Sequence, residues 1–158
     1  MEKLVETSLL IREAREDDLP ELIAMFAADD LGGHGDTNNP AALPDYARAF
    51  AAVAASPDQT LYVAERGSEV VGTFQTMITT SLTARGSSSM IIEAVQTRGD
   101  MRGQGIGARM MEFAIAEAKG RGMRLVQLTS NAKRKDAHRF YERLGFKPSH
   151  LGFKMALK

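Results

Sequence analysis

Met90-Ile91-Ile92-Glu93-Ala94-Val95 runs through Gln96-Thr97-Arg98-Gly99-Asp100-Met101 into Arg102-Gly103-Gln104-Gly105-Ile106-Gly107. Residues 90–95 are apolar apart from Glu93 and read as a short buried strand. The glycines crowded between Gly99 and Gly107 make a turn. Ile106, Met110, Phe113, Ala114 and Ala118 then recur at helical spacing until Gly120 and Gly122 stop the helix. Glycine admits positive φ and a close backbone approach, so in such a turn several N–H groups can converge on one anion, with the helix dipole adding partial positive charge. A phosphate or pyrophosphate suits this turn. The motif alone leaves open a plain strand-to-helix turn that uses glycine for tight packing.

The residues after the glycines test two other kinds of phosphate site. Residues 103–108 fit a dinucleotide fingerprint with Ala108 in the last place, but the next strand ends in Thr129-Ser130-Asn131 without the acidic residue that would hold a ribose. A nucleoside triphosphate loop needs Gly-Lys-Ser or Gly-Lys-Thr, and Gly105-Ile106-Gly107 offers no lysine.

Outward from this centre the periods alternate. Thr7–Glu13 reads as a strand. Glu16, Asp17 and Asp18 before Leu19-Pro20 mark a helix start, with Leu19, Leu22, Ile23 and Phe26 as its apolar stripe. Residues 29–43 read as an exposed loop, and 44–55 as a second amphipathic helix burying Leu43, Tyr46, Ala47, Phe50 and Val53. Leu61–Ala64 and Val70–Ile78 flank Arg66-Gly67-Ser68 as a β-hairpin, followed by a polar loop over 79–88. Beyond the central helix, Leu125–Thr129 is a strand. Ala137, Phe140, Tyr141 and Leu144 form a helix face closed by Gly145, and Phe153, Met155 and Leu157 alternate as a final strand. Consecutive strands favour antiparallel pairing, whereas strand, helix, strand over 90–129 favours a parallel crossover, so the expected class is mixed α/β.

The 158 residues, 44% apolar, suit one domain with a substantial core, residues 1–158. Twenty Lys plus Arg balance twenty Asp plus Glu, so no global field draws the chain to nucleic acid or an anionic membrane. The absence of cysteine excludes disulfides, thiolate zinc sites and a cysteine nucleophile. Met1–Arg12 does not read as a signal peptide and no long apolar run occurs, which points to the cytoplasm. His34, in Gly32-Gly33-His34-Gly35-Asp36, has no second ligand at metal-binding spacing on a regular element, so no metal is expected.

Arg102-x-x-Gly105-x-Gly107 resembles the acetyl-CoA loop of the GCN5-related N-acetyltransferase (GNAT) superfamily. Ile91-Ile92-Glu93-Ala94-Val95 resembles that family's fourth strand, and Asn131 followed by Ala137, Phe140-Tyr141 and Leu144-Gly145-Phe146 resembles its second cofactor motif. The resemblance extends from Leu10 to about Leu157. It implies a mixed, mostly antiparallel central sheet with helices on both faces, and transfer of acetyl from acetyl-CoA to a primary amine of a small molecule, with CoA as product. A peptide acceptor and a non-catalytic acyl-CoA-binding module are the alternatives. Arg98-Gly99-Asp100 departs from the family, which often has a proline or other rigid residue here, and predicts a looser approach to the loop.

Acetyl transfer to an amine needs a proton acceptor, because an ammonium has no lone pair. Glu93, ionisable within an apolar strand, is the candidate base, its pKa raised by desolvation; a solvent-facing strand carboxylate, or one held by a neighbouring arginine, is the alternative. By resemblance Glu93 acts through a water, and Tyr141 supplies the proton to the departing thiolate. As a residue of the apolar stripe, Tyr141 also reads as a core aromatic. The resemblance further assigns the oxyanion donor to the Val95 N–H or its neighbour, and pairing with the pantetheine arm to the Val95 and Thr97 backbone. Asn131 is a second donor to that arm or an ordinary turn residue. Arg102 and the backbone of Gly103, Gln104, Gly105, Ile106, Gly107 and Ala108 would take the diphosphate. Lys133-Arg134-Lys135 reads either as contacts to the 3′-phosphate or as a solvated face. Asp29, Asp30, His34 and Asp36 lie where the resembling fold borders the acceptor, and the carboxylates would draw a cationic amine. Alternation in 153–157 supports homodimer pairing at a sheet edge.

Overall fold

The computed structural model describes residues 8–29 and 34–158. Its elements are β1 (Leu9–Glu13), α1 (Leu19–Ala27), α2 (Leu43–Ala55), β2 (Gln59–Arg66), β3 (Glu69–Thr80), β4 (Ser88–Thr97), α3 (Ile106–Gly120), β5 (Val126–Leu128) and α4 (Lys135–Arg143). The strands form one sheet in the order β1-β2-β3-β4-β5. Its first three junctions are antiparallel, as hairpin-linked strands permit, and β4–β5 is parallel because α3 carries the chain back between them.

Strand alternation supplies an apolar layer on each face. On one face Ala64, Val71, Phe74, Met90 and Ile92 pack with Ile106, Met110, Met111, Ala114 and Ala118 of α3. On the other, Val63 and Val70 pack with Leu22 and Met25 of α1. Gly72 sets how closely α3 approaches: a Cβ there would lie 3.0 Å from Met110 Sδ and 3.2 Å from Ile106 Cγ2. A glycine inside a strand here marks a close approach of another element.

The acidic cluster before α1 does more than start a helix. Asp18 is buried, accepts the Arg15 N–H at 2.7 Å, and takes both arms of the Arg12 guanidinium at 2.8 and 2.9 Å. Arg12 also donates to Glu65 at 2.8 Å, so one cation ties β1, the start of α1 and β2. In α2, Tyr46, Ala47, Phe50 and Val53 are half-buried, whereas Leu43 is 45% exposed and falls outside the predicted buried side.

The final strand expected at 153–157 is absent. Residues 146–158 form no helix or ladder, and Leu151, Phe153, Met155 and Leu157 are 83–91% exposed. Alternating apolar residues become a strand only when their backbone groups find a neighbouring strand, and among the described residues none meets this segment.

Candidate active site

The site begins where β4 leaves its partner. β4 pairs with β5 at Met90↔Val126, Ile91↔Gln127 and Ile92↔Leu128, and the pairing ends there. Along its other edge β4 continues beside β3 to Thr97, opposite Gly72, but with one residue extra: Gln75 faces Glu93 while Thr73 faces Gln96. Ala94 sits within this bulge at φ 53°, a left-handed conformation that costs a non-glycine residue roughly 1–2 kcal/mol. Among the described residues, the backbone from Glu93 to Thr97 is therefore held by β3 on one side and unpaired on the other.

That free edge leads into the glycine turn. The approach is pinned without a proline: the Arg98 N–H donates to Val71 O at 2.8 Å, and its guanidinium pairs with Asp100 at 2.7 Å and Glu69 at 3.4 Å. Gly103 and Gly105 have φ of 77° and 79°, and a Cβ at either would meet nothing within 4 Å. Backbone conformation, not crowding, requires glycine there. The first α3 bond runs from the Arg109 N–H to Gly105 O, and the N-cap residue, Gly105, has no side chain to cap the helix, so the N–H groups of Ile106, Gly107 and Ala108 face the turn. Arg102 is exposed beside them. The Gln104 side chain instead holds the turn in place, accepting from Arg66 at 3.0 Å.

α4 packs against this start of α3. A Cβ on Gly107 would stand 3.3 Å from Phe140 Cζ, so the missing side chain lets Phe140, and Tyr141 beside it, come close. The Tyr141 ring packs against Phe140 and, edge-on, against Phe146. Burial raises the Tyr141 pKa, against a smaller opposing effect of the Arg134 charge, so its phenol stays protonated and can donate. Asn131 uses its side-chain oxygen to accept the Lys133 N–H at 2.9 Å, the turn role foreseen for it, and its amide nitrogen remains to donate elsewhere. Of the basic run, Lys133 and Lys135 are exposed and Arg134 is half-buried, within electrostatic reach of Tyr141.

Glu93 departs from expectation in its surroundings. Met90 and Ile92 face the α3 core, so alternation puts Glu93 on the α1–α2 face, where it is exposed. The apolar enclosure inferred from its neighbours is absent, because strand neighbours point to the opposite face. Asp29 reaches the same strand, accepting from Gln96 Nε2 at 2.6 Å, whereas Asp36 accepts from the Tyr46 hydroxyl at 2.7 Å and so belongs with α2. His34 is exposed, and Asp30 lies outside the described residues.

Four contributors were not anticipated: Ala94, Gly72, Gln96 and Arg66. Only Gly72 carried a signal, as a glycine inside an apolar run. The others depend on partners 38 to 67 residues away or on a bulge that leaves no local mark.

Residues 57–148 match the family model described as an acetyltransferase (GNAT) domain. The chain is similar to the aminoalkylphosphonate N-acetyltransferase of Salmonella typhimurium, at 40% identity over 108 residues, covering 68% of this chain and 70% of the relative. Among solved structures it resembles a transcriptional regulator from Bacillus halodurans C-125, at 43% identity and a TM-score of 0.91, over 95% of this chain and all of the other. A predicted acetyltransferase with acetyl-CoA from Clostridium acetobutylicum shares the fold, with a TM-score of 0.72 at 19% identity over 95% and 97% of the two chains.

Proposed function

The chain belongs to the GNAT family and is an N-acetyltransferase; from that premise we propose that it moves the acetyl group of acetyl-CoA to the primary amine of a small molecule by direct attack in a ternary complex. One observation carries this reading: the edge of β4 beyond Ile92, without a strand partner among the described residues, runs into a glycine turn at the uncapped start of α3. An open strand edge suits an amide-bearing arm, and a cluster of N–H groups suits a diphosphate. We also take residues 1–158 as one catalytic domain.

Bound acetyl-CoA would supply an activated thioester. Val95 and Thr97 would pair with its pantetheine arm, with the Asn131 amide as a further donor. Arg102 and the backbone from Gly103 to Ala108 would hold the diphosphate. Glu93, exposed on the α1–α2 face, receives through a water the proton that the amine sheds as the C–N bond forms. The Val95 N–H donates to the carbonyl oxygen as negative charge builds on it. As the C–S bond breaks, the Tyr141 phenol gives its proton to sulfur and recovers one from solvent. Asp29, His34 and Asp36 border the acceptor, with the carboxylates favouring a cationic amine.

The Salmonella relative makes aminoalkylphosphonates the first acceptors to try. Thiol release from acetyl-CoA, followed across a panel of aminoalkylphosphonates, other small amines and peptides, tests the proposal. Turnover on small amines with peptides inert is the expected result. Acetylation of peptides alone, or binding of acetyl-CoA without turnover on any amine, overturns it.

A further inference from the structure

A strand turns successive side chains to opposite faces, so residues three apart ordinarily face away from each other. β4 departs from this at the bulge. Ile92 and Val95, three apart, both pack against the α3 core. Gln75 and Thr73, two apart on β3, stand opposite Glu93 and Gln96, three apart on β4, so the extra residue resets the alternation. Gln96 is thereby carried to the α1–α2 face that Glu93 occupies. There its Nε2 donates to Asp29 Oδ2 at 2.6 Å, and both residues are half-buried. A carboxylate can only accept, so the bond has one polarity, and its charged acceptor makes it stronger than a bond between neutral groups. Each end is anchored. The Asp29 N–H closes the last turn of α1 on Phe26 O at 3.2 Å, and β4 beyond Gln96 is tied to β3 by the Arg98 N–H to Val71 O at 2.8 Å. Ala94, left-handed at φ 53°, lies two residues before Gln96. Such a conformation persists only where its surroundings over-determine it.

We infer that Gln96 is a positioning residue for acetyl transfer: by gripping Asp29 it holds the bulge so that the Val95 N–H and Glu93 keep their mutual placement. The inference rests on the function proposed above, in which the Val95 N–H meets the carbonyl oxygen and Glu93 receives the amine proton. Val95 lies between Ala94 and Gln96, so a bulge released at Gln96 swings that N–H from its aim. A reacting group misplaced by about 1 Å can cost on the order of 100-fold in rate. Asp29 then serves twice, drawing a cationic acceptor by its charge and fixing the strand through Gln96. The two roles separate at Gln96→Glu. If Asp29 acted by charge alone, a second carboxylate beside it would draw the amine more strongly and leave kcat level. If the bond positions the bulge, two carboxylates 2.6 Å apart repel and kcat falls.

Steady-state kinetics on wild type, Gln96→Glu, Asp29→Asn and the double variant, with a small amine that the wild type acetylates, tests the inference. Each substitution keeps the size of the side chain. Gln96→Glu should lower kcat, measured at saturating acceptor and per folded enzyme, by about 10- to 100-fold, the worth of a hydrogen bond to a charged group. Adding Asp29→Asn should recover most of that loss, because the new amide donates to the new carboxylate and restores the bond with its polarity reversed. Asp29→Asn alone should cost less than Gln96→Glu, since its amide oxygen still accepts from Gln96. A bond that served the fold alone would shift the melting temperature of the variants and leave this kcat level. Gln96→Met, of similar length and without a hydrogen-bonding group, should also lower kcat and gain nothing from Asp29→Asn. An active wild type whose Gln96→Glu or Gln96→Met variant keeps its kcat, or a double variant no faster than Gln96→Glu, overturns the inference and leaves the proposed function standing. A wild type that acetylates no amine overturns the proposed function, and this inference with it.

Discussion

Gly105→Ala gives the sharpest test of how the glycine turn works. Gly105 sits at φ 79° with empty space where a Cβ would go, so the substitution meets no clash and its cost is conformational. Holding alanine in the left-handed region costs roughly 1–2 kcal/mol. The protein can express that cost in two ways. If the turn keeps its shape, global stability falls by about that amount, or roughly 2–8 °C in melting temperature for a chain of this size. If the turn relaxes, the N–H groups lose their common aim and acetyl-CoA affinity falls instead, by about 5- to 30-fold for the same energy. Urea unfolding and calorimetric titration with acetyl-CoA, run on the same samples, together recover the full cost. Gly105→Asn should restore much of it, because asparagine tolerates the left-handed region. Gly99→Ala is the internal control: Gly99 also has open space at its Cβ position but no positive φ, so alanine there should be neutral or slightly stabilising. If Gly105→Ala matches the wild type in both stability and affinity, or Gly105→Asn is no better than alanine, the conformational argument is wrong.

Other perturbations read different parts of the molecule. Glu93→Gln and Tyr141→Phe should each lower kcat about ten-fold or more while acetyl-CoA affinity stays level in a titration. Since burial holds the Tyr141 phenol above its ordinary value of 10, any alkaline fall in rate that reports this group should have its midpoint above that of a free phenol and be lost in Tyr141→Phe. Asp18→Asn should destabilise the fold by about 2–3 kcal/mol at neutral pH in urea unfolding, because it strands much of the Arg12 charge, although Glu65 remains as a partner. The Arg12 hydrogen bonds, opposed by burial, leave the folded-state pKa of Asp18 below its ordinary value. Its contribution is thus complete above the unfolded value of about 4 and disappears as pH falls through the lower folded value, so the stability gap between wild type and variant should close in acid. Gly72→Ala should lower stability by about 1–3 kcal/mol in a thermal melt, since its Cβ would crowd Met110 Sδ at 3.0 Å in a close-packed core.

Local chemistry settled much of this protein from the sequence alone. The turn at 102–107 was legible because left-handed backbone strongly favours glycine, a preference that belongs to the residue itself, and Gly103 and Gly105 do adopt positive φ. The stripes of α1 and α3 were legible because a helix repeats its buried face within a few residues, as Leu19, Leu22 and Ile23 and Ile106, Met110 and Ala114 do. Tertiary structure decided the features that depend on distant partners. Glu93 looked enclosed because Ile91, Ile92 and Val95 surround it in sequence, yet strand alternation and the bulge at Ala94 leave it exposed. The Gln96–Asp29 and Arg66–Gln104 bonds join residues far apart in the chain, which no local pattern announces. The tail shows the limit from the other side: Phe153, Met155 and Leu157 have a strand's alternation but, among the described residues, no strand's partner. Periodicity and φ preference belong to a residue and its neighbours, whereas pairing belongs to whichever surface the folded chain brings alongside.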